Sequence, residues 1–537
     1  MIRVSEIKLP LDHSEDELRA ALLKRLRIRD EQLGEFAVFK RSLDARKRGN
    51  ILLVYVVDAE TTLEDEVLLG RLTKDQKIRL TPDTTYQMVA HAPADLKSRP
   101  IVIGAGPCGY FAALLLAQMG YRPIVLERGQ PVRQRTKDTF GFWRQREFNA
   151  ESNVQYGEGG AGTFSDGKLY SQIKDPKHFG RKVLTELVAA GARDEILYVY
   201  RPHIGTFRLV KIVEQLRETI TELGGEVRFG SQVTELLVED KQVCGVRLAD
   251  GSEIASRHVV LAVGHSSRDT FEMLHKKGVF IEPKSFSIGV RIEHPQSMID
   301  KSQYGPQAGH EILGSADYRL VHHCKNGRSV YSFCMCPGGT VLAATSEAGC
   351  VVTNGMSQYS RVERNANAGM VVGITPEDFP SDDPLAGIEL QREIESLAFR
   401  AGGENYDAPG QLVGDFLAGK PSTEFGEVAP SYKPAVKLTD LKECLPDYVI
   451  AAMREALPAF DRKIRGYARP DAVMTGVETR TSSPIRITRS KDDLQSLNTR
   501  GLFPAGEGAG YAGGILSAGV DGVRVAEAVA LAINADS

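Results

Sequence analysis

The stretch RPIVIGAGPCGYFAALLLAQMGYRPIVLERG, residues 99–129, decides how the rest of the chain is read. Residues 100–103 form a short apolar run suited to a buried strand, and Gly104, Gly106 and Gly109 follow as a GxGxxG turn into a helix that opens at Pro107. Gly104 permits the sharp turn, Gly106 the close approach of a pyrophosphate, and Gly109 tight packing of helix on strand. A helix N-terminus carries about +0.5 of charge and free N–H groups, so it holds a pyrophosphate without a lysine. Small Ala113, Gly120, a second strand PIVLE and its closing acid Glu127, followed by Arg128, complete a βαβ unit whose carboxylate suits ribose hydroxyls.

FAD and NAD share such a unit, and the far end of the chain separates them. TRGLFPAGEGAGYAGGILSAGVDGVRVAEAVALAI, residues 499–533, reads as a short strand, Gly506 and Glu507, a turn through Gly513 and Gly514, and a long helix from Ile515. It resembles the closing segment of glutathione-reductase-like flavoproteins. That resemblance implies FAD, with the acid on the ribityl chain and the helix N-terminus facing the flavin; Glu507 stands where the pattern most often has Asp. The strand at 502–505 is expected to join the sheet of residues 100–103. Two further segments fit this reading: HVVLAVGHSSRD, a buried strand ending in Gly264, and YGEGGAGTFSDGKL, whose Gly159, Gly160, Thr163 and Ser165 would lie along the cofactor. Val233, in EVRFGSQVTELLVED, completes the expected cofactor contacts.

With GGAGTFSDGKL, PHIGTFRL, YSFCMCPGGTV, LPAFDRKIRGY and GVETRTSSPIRI also in view, nearly the whole chain resembles a bacterial family of uncharacterised FAD-dependent, or NAD(FAD)-utilising, dehydrogenases. The resemblance implies an α/β, glutathione-reductase-like FAD-binding Rossmann domain, interrupted by a mainly antiparallel α+β substrate domain and preceded by a small α+β domain. It implies no substrate. The expected division is 1–95 for the N-terminal unit, 96–277 for the first part of the FAD domain, 278–480 for the substrate or cap domain, and 481–537 for the C-terminal part of the FAD domain. In the first unit, Ser14 and Glu17 form a capping box before a helix. Residues 226–240 are read as a strand of a β-meander.

Composition agrees with a protein of several cores: 537 residues, 42% hydrophobic and 26% charged. No apolar run reaches the ~20 residues of a membrane span and no signal-peptide core precedes the first strand, so the cytoplasm is the expected location. Seven scattered cysteines suggest reduced thiols rather than a disulfide framework. A net charge of -3 gives no general attraction to polyanions. The basic run KRSLDARKRG, residues 40–49, is read as a solvated hairpin edge, and nucleic acid is not an expected partner.

Outside the segments already assigned to FAD, no second complete GxGxxG follows residue 130, so either NADH or NADPH visits the flavin transiently or the substrate itself exchanges the hydride. The candidate catalytic residues are Cys334, Cys336, Arg480 and His265. Cys334 and Cys336 alternate onto one strand face, as a redox pair, a nucleophile, or simply packed hydrophobes. Arg480 would face a carboxylate or phosphate. His265 and His203 are acid/base candidates. The His322, His323, Cys324 run matches no zinc pattern, and no metal is expected. The expected function is an FAD-dependent oxidoreductase moving a hydride between flavin and a small anionic substrate. The alternatives are a flavoprotein that binds or modifies RNA through its N-terminal domain, and a non-catalytic FAD-bound redox sensor.

Overall fold

The tripeptide Ile101–Ile103 lies at the centre of a parallel sheet, ordered Leu502–Pro504, Val259–Leu261, Ile101–Ile103, Ile124–Leu126, Glu226–Arg228. The computed structural model that gives this arrangement describes residues 1–47 and 49–536; Arg48 of the basic run lies outside them. Parallel strands covered on both faces must be apolar throughout, and every residue of the first four is buried. The helix Pro107–Gln118 follows the central strand, and the C-terminal helix Ile515–Ala535 packs along it. Residues 502–504 thus share the sheet of residues 101–103, one strand removed.

The stretch 226–240 is not one strand. It breaks at Gly230, whose φ is +62°. Glu226–Arg228 closes the parallel sheet, and Val233–Glu239 starts an antiparallel meander with Gln242–Leu248 and Glu253–Ala255.

Residues 286–478 build a mixed sheet, ordered Val321–His323, Ser329–Ala343, Asn365–Ile374, Phe286–Pro295, Val473–Glu478, Ala408–Leu412, Val436–Leu438, with Thr353–Met356 paired to Ser329–Ala343. Only the pair Ala408–Leu412 and Val436–Leu438 is parallel. The helices Ala386–Gly402 and Asp447–Asp461 pack against this sheet. At the other end of the chain, strands Ile2–Pro10, Leu33–Asp44, Leu52–Thr61 and Ile78–Leu80 alternate with helices Glu15–Leu26 and Asp65–Arg71 as β-α-β-β-α-β. Ser14 and Glu17 make the capping box there. In the basic run Lys40 and Arg46 are exposed, Lys40 over the Tyr200 ring and Arg46 paired with Asp44. Residues 82–100 carry no helix or strand, yet Tyr86 donates to Glu527 at 2.9 Å and the Ala92 N–H to the Met119 carbonyl at 2.8 Å, so the segment is laid along the parallel unit. No helix among the described residues is long and apolar enough to cross a membrane.

Buried charge ties the two large sheets together. Glu395, on Ala386–Gly402, accepts from Arg268 at 2.8 Å and from Arg480 at 3.0 Å, with Thr479 adding a third donor at 2.7 Å. Burial alone would raise the Glu395 pKa; the two guanidinium groups outweigh it and hold it at about 2. A folded-state pKa below the ordinary 4.5 stabilises the fold above that value, and the contribution is lost as pH falls from 4.5 toward 2. Removing one member of a buried ion cluster strands the others. Glu395→Gln is therefore expected to cost about 3–5 kcal/mol near neutral pH, read as a lower unfolding midpoint, with the gap to the parent protein closing as the acid end is approached.

Candidate functional site

The turn after Ile101–Ile103 assigns different duties to its glycines. Gly104 has φ +100°, and a Cβ there would sit 2.4 Å from the Ala262 carbonyl oxygen. A Cβ on Gly109 would lie 1.9 Å from the Gly104 carbonyl oxygen, so helix and strand meet backbone to backbone. Gly106 is different: its nearest neighbour would be the Gly160 Cα at 3.7 Å, and the space beside it belongs to a cavity. Gly106 is also the N-cap of Pro107–Gln118, and no side chain caps that helix.

The cavity has a volume of about 740 Å³, within the ~300–1,000 Å³ range of cofactor and substrate sites. Gly104, Gly106, Pro107, Glu127, Arg128 and Val233 line it, as do Gly264, His265, Glu507, Gly513, Gly514 and Ile515. Gly160, Ser165, Cys334 and Arg480 complete the set of anticipated residues on its wall. Gly159 and Thr163 instead line a small apolar recess beside it, and neither Gly109 nor Gly506 reaches either space.

Three buried charges hold the glycine loop in shape. Arg135, wholly buried, donates to the carbonyls of Asn153, Val154, Glu158 and Gly160 at 2.7–2.9 Å. Glu158 accepts from the Tyr110 hydroxyl at 2.7 Å, the Val132 N–H at 2.7 Å and Arg217 at 2.8 Å. Glu127 accepts from the N–H groups of Ala105, Gly129 and Gly157 at 2.8–3.0 Å, which ties strand end, turn and loop together. A carboxylate has about four acceptor positions, so little of it is left for ribose hydroxyls. Arg128 is committed to Glu151 and Asp269 and lies 4.3 Å over the Tyr156 ring.

At the other end, the Gly506 N–H donates to Asp521 at 2.8 Å, and Asp521 pairs with Arg489 at 2.6 Å. Glu507 approaches His265 Nδ1 at 3.3 Å, while His265 Nε2 is buried without a partner among the described residues. The N-cap of Ile515–Ala535 is Gly514, again with no side-chain cap.

The wall opposite corrects several sequence expectations. Arg480 lines the cavity, but its guanidinium is held by Glu395 and Ser346, so its charge is already balanced rather than open to a substrate anion. Cys334 and Cys336 do not share one face of a regular strand. The pairing with Asn365–Ile374 shifts register between Phe333 and Cys336, and Cys334 has φ +40°. Such a backbone costs of order 1 kcal/mol for a residue other than glycine. Cys334 lines the cavity, whereas Cys336 is fully buried behind it and donates to the Cys334 carbonyl at 3.4 Å. All seven cysteines are free thiols. His203 faces the Tyr359 carbonyl at 2.9 Å, away from the cavity lining, and burial lowers its pKa. His322 and Cys324 approach Glu455, while His323 turns to Ser329.

Lys168, Asp166, Arg361 and Arg291 were not singled out from the sequence. Lys168 lines the cavity, reaches the Met335 carbonyl and pairs with Asp166 at 3.1 Å; Arg361 holds the other side of Asp166. Arg291, fully buried, grips Glu478 with two bonds of 2.8 Å and donates to the Cys334 carbonyl at 2.8 Å. An arginine inside the otherwise apolar FSIGVRI and the Asp-Gly-Lys of SDGKL were the available signals.

Residues 285–481 match the family described as FAD-dependent protein, C-terminal domain-like; residues 168–345 match FAD dependent oxidoreductase; residues 1–60 match a domain of unknown function. An uncharacterized protein of Clostridium beijerinckii is 49% identical over 527 residues, covering 98% of each chain. Among solved structures, a flavin-dependent brominase mutant is 14% identical with TM-score 0.37, covering 81% of this chain and 80% of its own. The quinol fumarate reductase of E. coli, as an FrdA mutant, is 12% identical with TM-score 0.36, covering 82% and 71%. The chain belongs to the family of the clostridial protein, FAD-dependent oxidoreductases that carry the FAD-dependent C-terminal domain. The cradle at Gly106, two uncapped helix starts on one cavity and the orphaned His265 Nε2 fit such a cofactor.

Because the space beside Gly106 is the cavity itself, Gly106→Val should fold and lose most of its FAD, measured as flavin absorbance per protein after purification. Full FAD in a folded Gly106→Val protein would move the cofactor away from this turn.

Proposed function

We propose that this FAD-dependent oxidoreductase exchanges a hydride between flavin and a small anionic molecule, both held in the one cavity described above. The observation that carries this reading is the continuity of that cavity, from Gly106 and Glu127 through Gly513–Ile515 to Lys168 and Cys334. In this reading the layout is glutathione-reductase-like: residues 96–277 and 481–537 hold the cofactor, 278–480 supply the facing wall, and 1–95 form the small N-terminal unit. FAD supplies two-electron chemistry when bound. The helix starts at Gly106 and Gly514 offer N–H groups and partial positive charge, to a pyrophosphate and to the flavin edge respectively. His265, oriented by Glu507, keeps Nε2 for a ligand atom.

The anion preference passes from Arg480 to Lys168 and Arg319. Arg319 is exposed, lines the cavity and makes no ion pair among the described residues, and Lys168 lies deeper on the same wall. Substrate carboxylate or phosphate oxygens would pair with these cations. NADH or NADPH, visiting without a Rossmann unit of its own, is the proposed electron partner.

Anaerobic titration tests this. The purified protein should be yellow and release FAD on denaturation, and its flavin should be bleached by NADH, NADPH or a member of a panel of carboxylate- and phosphate-bearing reductants. Lys168→Met should lower the bleaching rate constant by roughly tenfold to a hundredfold, the worth of one charge-assisted hydrogen bond, while leaving chemical photoreduction unchanged. Bleaching by uncharged reductants alone, or equal rates in Lys168→Met, would rule out the anionic substrate.

A further inference from the structure

The two sulfurs at the cavity wall sit in an unusual electrostatic setting. Asp166 is almost fully buried and is shared by two cations, Lys168 at 3.1 Å and Arg361 Nε at 2.9 Å. The adjoining Arg201 is matched by Asp317 at 3.2 Å, Arg291 is matched by Glu478, and burial keeps His203 toward its neutral form. One positive charge in this cluster is therefore left over beside the bulge at Cys334. A buried surplus charge is costly unless an anion approaches it. The Cys336 thiol, which donates to the Cys334 carbonyl at 3.4 Å, lowers the Cys334 pKa and has its own raised; Lys168 and Arg291 push Cys334 further down against the burial that opposes it. Of the pair, Cys334 alone lines the cavity. Its left-handed backbone, φ +40°, falls where the pairing with Asn365–Ile374 shifts register, and strain of that kind is characteristic of reacting positions.

We propose that Cys334 and Cys336 form a two-electron thiol/disulfide couple in the cavity wall, Cys334 presenting its thiolate to the cavity, Cys336 standing behind it, and Lys168 serving as counter-ion. This rests on the reading that the flavin occupies the same cavity. Oxidation forms one S–S bond, removes the one remaining S–H proton from Cys336, and passes two electrons to the oxidised flavin that the family's FAD dependence supplies; reduction reverses each change. Loss of the thiolate leaves Lys168 free to balance another anion. The couple makes Cys334 and Cys336 catalytic residues, and Lys168 and Arg291 positioning residues.

The test uses the full-length, FAD-loaded protein without oxygen. Samples are equilibrated with reduced and oxidised dithiothreitol in stepped ratios, quenched in acid, alkylated and analysed by peptide mass spectrometry. The segment between Arg328 and Arg361, which also holds Cys350, should change from triply alkylated to alkylated at Cys350 alone with a disulfide between Cys334 and Cys336, in one two-electron step, while Cys108, Cys244 and Cys444 stay alkylated throughout. Cys334→Ser and Cys336→Ser should each abolish the step. The iodoacetamide rate at Cys334 should fall about tenfold in Lys168→Met, as expected for a lost thiolate fraction, and recover in Lys168→Arg. A segment that stays triply alkylated at every ratio while FAD is fully bound would overturn the couple alone. A folded protein lacking FAD would overturn the cofactor reading instead, and an unchanged Cys334 rate in Lys168→Met would remove the counter-ion.

Discussion

Gly522 sits so close to the helix Pro107–Gln118 that a Cβ would lie 2.3 Å from the Cys108 carbonyl oxygen, and one on Gly519 would meet Phe111 at 3.0 Å. This approach of two helix backbones brings chain segments some four hundred residues apart into one unit. It sets the starts of both helices, at Gly106 and Gly514, on the same cavity. Each uncapped start contributes N–H groups and about half a positive charge. A side chain at 522 would force the helices apart, and the cavity would lose its shape before any lining residue changed. The ion pair of Arg489 with Asp521, which also receives the Gly506 N–H, locks the same helix onto the strand end that precedes Glu507.

Buried charge does for the loops what close packing does for the helices. Arg135 satisfies four carbonyls that an irregular glycine segment would otherwise leave unpaired, and burial lowers its pKa to about 10, still well above neutrality. Glu158 anchors the same segment to the helix through Tyr110. Such groups are costly to desolvate and are tolerated where their hydrogen bonds are complete. Here they hold irregular backbone rigid enough to line a site without regular secondary structure.

What could be read from sequence follows from the range of the interactions involved. The turn from Ile103 to Gly109 and the acid at Glu127 have their partners within about thirty residues, and the pattern of residue types carries the geometry. GxGxxG does not say which glycine meets ligand space and which meets carbonyl oxygen; that depends on Ala262 and Gly160, on other elements. Arg480 was misjudged because its partner, Glu395, lies 85 residues earlier on a helix whose placement no local pattern reveals. Cys334 and Cys336 were assigned by period-2 alternation, which fails where a bulge interrupts the pairing. The break at Gly230 has the same origin: a positive φ redirects a stretch whose residue types suit one continuous strand.

The two walls of the cavity differ in what they are made of, and the difference separates two kinds of specificity. Around Gly104–Pro107 and Gly513–Ile515 the surface is mostly backbone, with amides and glycine gaps, and a side-chain substitution there has little to alter except by filling space. Across from it, Lys168, Arg319 and Cys334 present charge and sulfur on side chains, supported by Asp166, Arg361 and Arg291 behind them. Backbone recognition suits a ligand whose shape is constant, because it tolerates drift in the sequence. Side-chain recognition suits one that varies, because single replacements change its charge and reach. A relative acting on a different molecule would therefore keep the first wall and differ in the second, and Arg319, exposed and without an ion-pair partner among the described residues, is the position at which such a change costs the fold least.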